Sequence, residues 1–325
     1  MPEERAQGLP PEKPVRIFLG HRQLCYLRAK RLSLREHGPI LDCTLFPDFQ
    51  LTQIVDRALA EDLAGGDVTS AATVAAEERA VARAVAKAPL VVCGGPVFAR
   101  CFYRTDPGLR VEERAQEGSR AAAGDVLWLV EGSARSILMA ERTALNFAQR
   151  LSGIATLTRR FVDAIPAGSK LRVADTRKTT PGLRQLERYA VRVGGGHNHR
   201  DCLGSAVLIK DNHIVAAGGI EQAIERARAA APHTSRIEVE VESLSQLDEA
   251  LASGAEIVML DNFEAGALSE AVKRAKGRAL VEVSGGVTLE RVAQLANAGV
   301  DIASVGALTH SAPAADISLD FERIG

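Results

Sequence analysis

Residues 237–286 read "IEVEVESLSQLDEALASGAEIVMLDNFEAGALSEAVKRAKGRALVEVSGG". Three short runs, IEVEVES (237–243), EIVMLDN (256–262) and LVEVSGG (280–286), alternate with stretches whose apolar residues recur at helical spacing. Apolar strands separated by amphipathic helices predict a parallel sheet covered by those helices. The alternation reaches back to LRVADT (171–176) and AVLIKDN (206–212) and forward to IASVGA (302–307). Between these runs lie further helical patterns such as GIEQAIERARAAA and LERVAQLANAG. The later units are only about 21 to 30 residues long, which favours compact barrel units.

The ends of the runs carry the chemistry. They are Thr176-Arg177-Lys178, Lys210-Asp211-Asn212-His213, Glu240, Asp261-Asn262, Ser284-Gly285-Gly286 and Gly306-Ala307. A barrel brings all C-terminal strand ends to one mouth, whereas an open sheet spreads them along a line. Six units in about 140 residues fall short of the roughly eight strands and 250 residues of a complete barrel, so the expectation is an incomplete one.

The rest of the chain bounds the function class. Its 325 residues carry a net charge of −1, 46% hydrophobic and 25% charged residues, and no apolar run near the roughly 18 to 20 residues that cross a bilayer. That balance argues against membrane insertion and against broad nucleic-acid binding, which needs a basic excess. Five cysteines without C-x-x-C spacing suit a reducing, cytoplasmic setting. Residues 1–45 are left outside the fold as an N-terminal extension, a disordered arm or an upstream start. Residues 46–153 read as an N-terminal α/β domain. There LTQIVDRALAEDL is helical, 79–93 and GDVLWLVEG are strands, and ARSILMAERTALNFAQRL is a long helix capped by Ser133 or Ser136. Within that helix Leu138, Arg142 and Leu145 fall at i, i+4 and i+7, which puts an arginine on an apolar stripe. It is either a snorkelling side chain, paired with Glu141 or Glu131, or an arginine aimed at an anion across an interface.

Cations concentrate in "TRKTTPGLRQLERYAVRVGGGHNHR" (176–200), where Glu187 is the single acid. At a common mouth Arg177, Lys178, His199, Arg200 and Lys210 would be donors, Glu240 and Asp261 carboxylates, and Ser284-Gly285-Gly286 and Gly306 sources of backbone N–H groups. Arginine suits carboxylate or phosphate through its planar fork, and glycine-rich turns let backbone amides approach phosphate. Ribose phosphate with pyrophosphate meets these demands. Glu238, Glu240 and Glu242 alternate along one strand and so point one way, towards the lumen. Arg188 and Arg192 read as a solvated helix face, and Arg184 is left without a role. Lys210 could instead form a Schiff base, and His197 with His199 form an H-x-H pair that lacks further metal ligands nearby.

The motifs TRKTTPGLR, YAVRVGGGHNHR, VLIKDNH, VEVES, VMLDN, EVSGG and SVGALTHS, with EDLAGGDVTS and ERTALNFAQRLSGIAT upstream, together resemble quinolinate phosphoribosyltransferases in collinear order from about residue 51 to 311. The resemblance implies an N-terminal α/β sandwich-like domain (46–153), an incomplete parallel α/β barrel with the active site (154–310), and a C-terminal segment (311–325) that returns to the first domain. It implies a glycosyltransferase of the pentosyltransferase class in de novo NAD biosynthesis. Such an enzyme moves phosphoribosyl from 5-phosphoribosyl 1-pyrophosphate, with Mg2+, to quinolinate, and decarboxylates it to nicotinate mononucleotide. It further implies a homodimer or hexamer with shared active sites. Carried over by residue, Arg177, His199, Arg200 and Lys210, with Arg142 from a partner, hold the quinolinate carboxylates. Thr176 belongs to the same substrate site. Lys178 and Lys210 serve the phosphoribosyl pyrophosphate. Glu240 and Asp261 meet ribose hydroxyls and the magnesium-bound pyrophosphate, and Ser284, Gly285, Gly306 and His310 cradle the 5-phosphate. Lys178, Lys210, Glu240 and Asp261 form the catalytic set. The alternatives are a related phosphoribosyltransferase with another acceptor (nicotinate, or that of a molybdenum-associated homologue) and a Schiff-base barrel lyase using Lys210.

Overall fold

The structure, a computed structural model, describes residues 48–324, so the extension assigned to residues 1–45 lies outside the described residues. The chain enters with α1 (Asp48–Asp62), whose Leu51, Val55 and Leu59 make one buried stripe at i, i+4 and i+8. The short α2 (Val68–Thr73) starts at Asp67, whose carboxylate accepts the N–H of Ser70 at 2.9 Å. Then follow β1 (Arg79–Ala86), β2 (Leu90–Val91), α3 (Gly95–Thr105), β3 (Arg110–Glu113), β4 (Arg120–Ala121) and β5 (Val126–Ser133). Ala80, Ala82, Ala84 and Ala86 are all buried, so the alternation in β1 places small side chains under the helices.

Ser133 caps α4 (Ala134–Asp163), a 30-residue helix that continues well past the predicted end at residue 151. It runs unbroken through residues 153 and 154, so the expected domain division there falls inside one helix. The cause is a continuous buried stripe. Ile137, Ala140, Ala144 and Ala148 are buried, and Leu151, Ile154, Ala155 and Phe161 continue the buried positions along the helix.

The second half comprises β6 (Arg172–Ala174), α5 (Arg184–Val193), β7 (Val207–Ile209), α6 (Asp211–Ala217), α7 (Ile220–Ala230), β8 (Ile237–Val241), α8 (Leu244–Ala252), β9 (Ile257–Asp261), α9 (Ala265–Ala275), β10 (Leu280–Ser284), α10 (Leu289–Ala298), β11 (Ile302–Ser304) and α11 (Ala307–His310). Its six strands pair in the order β6-β11-β10-β9-β8-β7, parallel throughout. A single parallel bridge from Ala174 to His197 adds a fragment beside β6. Among the described residues β6 and β7 do not pair, so the hydrogen-bonded ring stays open at that point. The predicted runs are the strands, and the in-register pairing of Ser284 with Asp261 places successive strand ends side by side.

Finally β12 (Ile317–Ile324) lies antiparallel along all eight residues of β1, giving a four-stranded sheet ordered β12-β1-β5-β3. The segment before it passes so close to α4 that a Cβ on Gly153 would fall 2.0 Å from the carbonyl oxygen of Pro313. Only glycine permits that approach.

Candidate active site

The C-terminal ends of the parallel strands enclose a cavity of about 540 Å³. Thr176, Arg177, Lys178, His199, Arg200 and Lys210 line it together with Ser284, Gly285, Gly306 and His310. Ten predicted residues, distant in sequence, therefore share one space. Glu240 reaches this space through an ion pair with Lys210. Asp261 sits against Gly285, where a Cβ would come 2.8 Å from its Oδ1. At Gly306 a Cβ would meet Lys178 Cδ at 3.1 Å and His310 Nε2 at 3.2 Å, so the missing side chain lets both side chains close on that turn.

The loop from Thr176 to Leu183 is braced from behind. Glu187, fully buried on α5, accepts the N–H of Thr180 at 3.0 Å, its hydroxyl at 2.7 Å and Arg150 Nη2 at 2.9 Å. Thr309 Oγ1 donates to the carbonyl of Lys178 at 2.7 Å and ties α11 to the same loop. Arg184 now has a role as well: Nε donates to Thr179 Oγ1 at 3.0 Å and Nη1 to the carbonyl of Asp201 at 3.0 Å, which joins the two basic segments. The Nε atoms of Arg177 and Arg200 are buried without a hydrogen-bond partner. Buried donors are rarely left so, which makes them places for an anionic ligand to complete.

Arg188 corrects the reading of a solvated face. It is buried, and Nη1 donates to the carbonyl of His199 at 2.7 Å and lies 3.5 Å from Asp175 Oδ1. Asp175, with no exposed surface, also accepts the N–H of His199 at 2.8 Å and the amide of Asn198. Burial pushes the Asp175 carboxyl up, and the Arg188 charge and these hydrogen bonds oppose the shift. Arg192 likewise turns inward to Asn198 Oδ1 rather than to water. The cause is topological: α5 packs against α4 on one side and receives the returning 197–200 segment on the other.

His199 stands over two acids. Its Nε2 lies 3.2 Å from Glu238 and 3.3 Å from Glu282, both nearly inaccessible, and Ser304 Oγ donates to Glu282. Burial works against charge on the ring, but the hydrogen bonds to Glu238 and Glu282 outweigh it and raise the imidazole to about 10. These atoms lie within 4.8 Å of one another, a group that excludes His197, so the H-x-H pair does not form a metal cluster among the described residues. Of the three alternating glutamates, Glu238 faces the lumen fully buried, Glu240 is partly buried at the rim, and Glu242 lies beyond β8 and is exposed. Glu282 escaped the sequence reading, although the V-E-V alternation of β10 repeats the signal that marked Glu238.

The family model described as quinolinate phosphoribosyl transferase, C-terminal domain, matches residues 154–320, and the N-terminal domain of the same description matches residues 67–152. The chain belongs to the quinolinate phosphoribosyltransferase family. It is similar to nicotinate-nucleotide pyrophosphorylase [carboxylating] of Mycobacterium leprae, at 47% identity over 82% of this chain and 95% of that one. It is also similar to the human protein of that name, at 41% over 85% and 93%. The crystal structure of NadC from Streptococcus pyogenes superposes with a TM-score of 0.82, at 40% identity, over 86% of this chain and 99% of that one.

Membership of the family places the mixed α/β architecture, a small antiparallel sheet beside the parallel one, among solved relatives. It also bears on Arg142. On α4 that side chain is exposed and lines no part of the cavity in the single chain, and Leu138 beside it is only half-buried. The apolar stripe that packs runs through Ile137, Ala140, Ala144 and Leu145, which leaves Leu138 and Arg142 at its edge. Neither expected ion pair forms: Glu131 lies nearest Arg79, and Glu141 feels Arg142 only as a charge that opposes the upward push of burial. No helix among the described residues is long and apolar enough to cross a membrane.

Proposed function

We propose that this chain transfers the phosphoribosyl group of 5-phosphoribosyl 1-pyrophosphate to quinolinate and releases carbon dioxide, giving nicotinate mononucleotide and pyrophosphate for de novo NAD biosynthesis. Its relatives carry the name of the carboxylating pyrophosphorylase, which is the same reaction named in reverse. The observation that carries the reading is the cavity itself: two arginines with unpartnered buried Nε atoms, two lysines and a histidine gathered with two glycine turns.

In this reading Arg177, Arg200, His199 and Lys210 hold the two quinolinate carboxylates, with Thr176 beside them and Arg142 reaching in from a second copy of the chain in a homodimer or hexamer. The chain works in the cytoplasm. Lys178 and Lys210 steady the pyrophosphate, and Ser284, Gly285, Gly306 and His310 hold the 5-phosphate. Glu240 and Asp261 are hard oxygen donors near the rim and would hold a magnesium ion that arrives with the substrate's phosphates. When bound, such an ion would supply charge neutralisation at the leaving pyrophosphate.

Charge dictates the order of events. As the bond from the anomeric carbon to pyrophosphate breaks, positive charge develops on the ribose, and the Glu240 and Asp261 carboxylates stabilise it. The pyridine nitrogen donates its lone pair to that carbon. The ring, now cationic, accepts the electron pair of its bond to the adjacent carboxylate, carbon dioxide leaves, and the ring carbon takes a proton. Purified full-length protein given quinolinate, phosphoribosyl pyrophosphate and Mg2+ is expected to release carbon dioxide and nicotinate mononucleotide in equal amounts. Turnover of nicotinate but not of quinolinate overturns the reading.

A further inference from the structure

Arg291 lies on α10, apart from the residues assigned to substrate, and is half-buried. Its Nη2 donates to the carbonyl of Phe263 at 2.9 Å and its Nη1 to the carbonyl of Gly285 at 3.2 Å. Those carbonyls belong to two different loops, one after β9 that follows Asp261 and one after β10 that contains Gly285 and Gly286. On the cavity side the same loops touch through Asp261 and Gly285.

Both loops use left-handed backbone. Asn262 has φ +57°, Gly285 +83° and Gly286 +59°. A non-glycine residue persists in that region only where its surroundings over-determine it, and Arg291 supplies an external hold on the residue next to Asn262. A trans peptide sets its N–H opposite its C=O. With the carbonyl of Gly285 turned outward to Arg291, the N–H of Gly286 turns towards the cavity, which Gly286 lines.

We propose that Arg291 is a positioning residue that clamps the loops after β9 and β10, so that Asp261 and the Gly285–Gly286 amides meet the phosphoribosyl half of the site as one unit. The proposal rests on the phosphoribosyl transfer argued above. It is confined to that half, because His199 is braced by Asp175 and Arg188, the loop that carries Arg177 by Glu187 through Thr180, and Arg200 by the carbonyl of Ala206, none of which Arg291 contacts.

The test uses full-length Arg291→Met and Arg291→Lys in steady-state assays with each substrate varied, alongside thermal unfolding. Loss of both charge-assisted hydrogen bonds loosens the cradle and is expected to raise the KM for phosphoribosyl pyrophosphate roughly tenfold in Arg291→Met. The KM for quinolinate should stay within about twofold, with Tm nearly unchanged. Arg291→Lys, which reaches one carbonyl at a time, should fall between, and it decides the matter if the methionine variant does not fold. An unchanged KM for phosphoribosyl pyrophosphate, or both KM values rising together with a lowered Tm, overturns the proposal. If the unmodified protein makes no product, the functional reading has failed rather than the clamp. In that event ribose 5-phosphate should still raise the Tm of the unmodified protein and not that of Arg291→Met.

Discussion

His199 shows how far one residue's chemistry depends on neighbours remote in sequence. Its imidazole is raised to about 10 in the fold against about 6.5 when free, so the folded state favours the charged ring. The stabilisation this brings is therefore complete below about pH 6.5 and disappears as pH rises through about 10. Replacing Glu282 with Gln removes one of its two carboxylates. The His199 ring signal in an NMR titration should then move to a lower pKa, and the Tm deficit of the variant should narrow between pH 6.5 and 10. A ring that titrates unchanged in the variant counts against the cluster. Arg188 is a second case. Its loss in Arg188→Met leaves Asp175 buried without its cation, and chemical denaturation should report a stability loss of about 3 kcal/mol.

At the scale of elements, the site depends on α4 and α5 packing closely enough to brace the basic loops. Gly194 marks that contact, where a Cβ would come 2.6 Å from the carbonyl oxygen of Ala155, and Gly153 marks a second close approach to α4, that of Pro313 in the segment before β12. Gly153→Ala adds a methyl where no space exists and should cost about 1 to 3 kcal/mol in denaturant unfolding. A fully neutral effect would mean that the segment before β12 moves freely from α4. The six parallel strands and most of the helices between them were legible because buried strands and amphipathic helices differ in period. The extent of α4 was not, since Ser152-Gly153 follows the expected end as a helix-weakening pair, whereas in the fold that glycine sits in mid-helix to admit the segment before β12.

At the scale of the whole molecule, Arg142 is the residue whose role one chain leaves open, being exposed and away from the cavity. If sites are shared between copies, Arg142→Ala should lose quinolinate turnover while its fold stays intact. Co-assembly with Lys210→Ala should restore part of the activity, because some mixed sites then hold both unmodified residues. Absence of recovery in confirmed mixed oligomers removes the partner-supplied role.

The amino-acid sequence by itself determined the fold class and the strand-end residues, because both are written in local periodicity and in residue type at fixed offsets. It also carried the family, through collinear motifs spread over most of the chain. The tertiary structure alone decided which charges face one another. Arg188 reads as a surface residue until Asp175 and the carbonyl of His199 close over it. Glu282 reads as one polar position in an apolar strand until His199 is set above it. Arg291 reads as an ordinary helix cation until two carbonyls from separate loops meet its guanidinium. Electrostatic partnership depends on distance in space, and a barrel sets that distance between residues that the chain keeps dozens of positions apart.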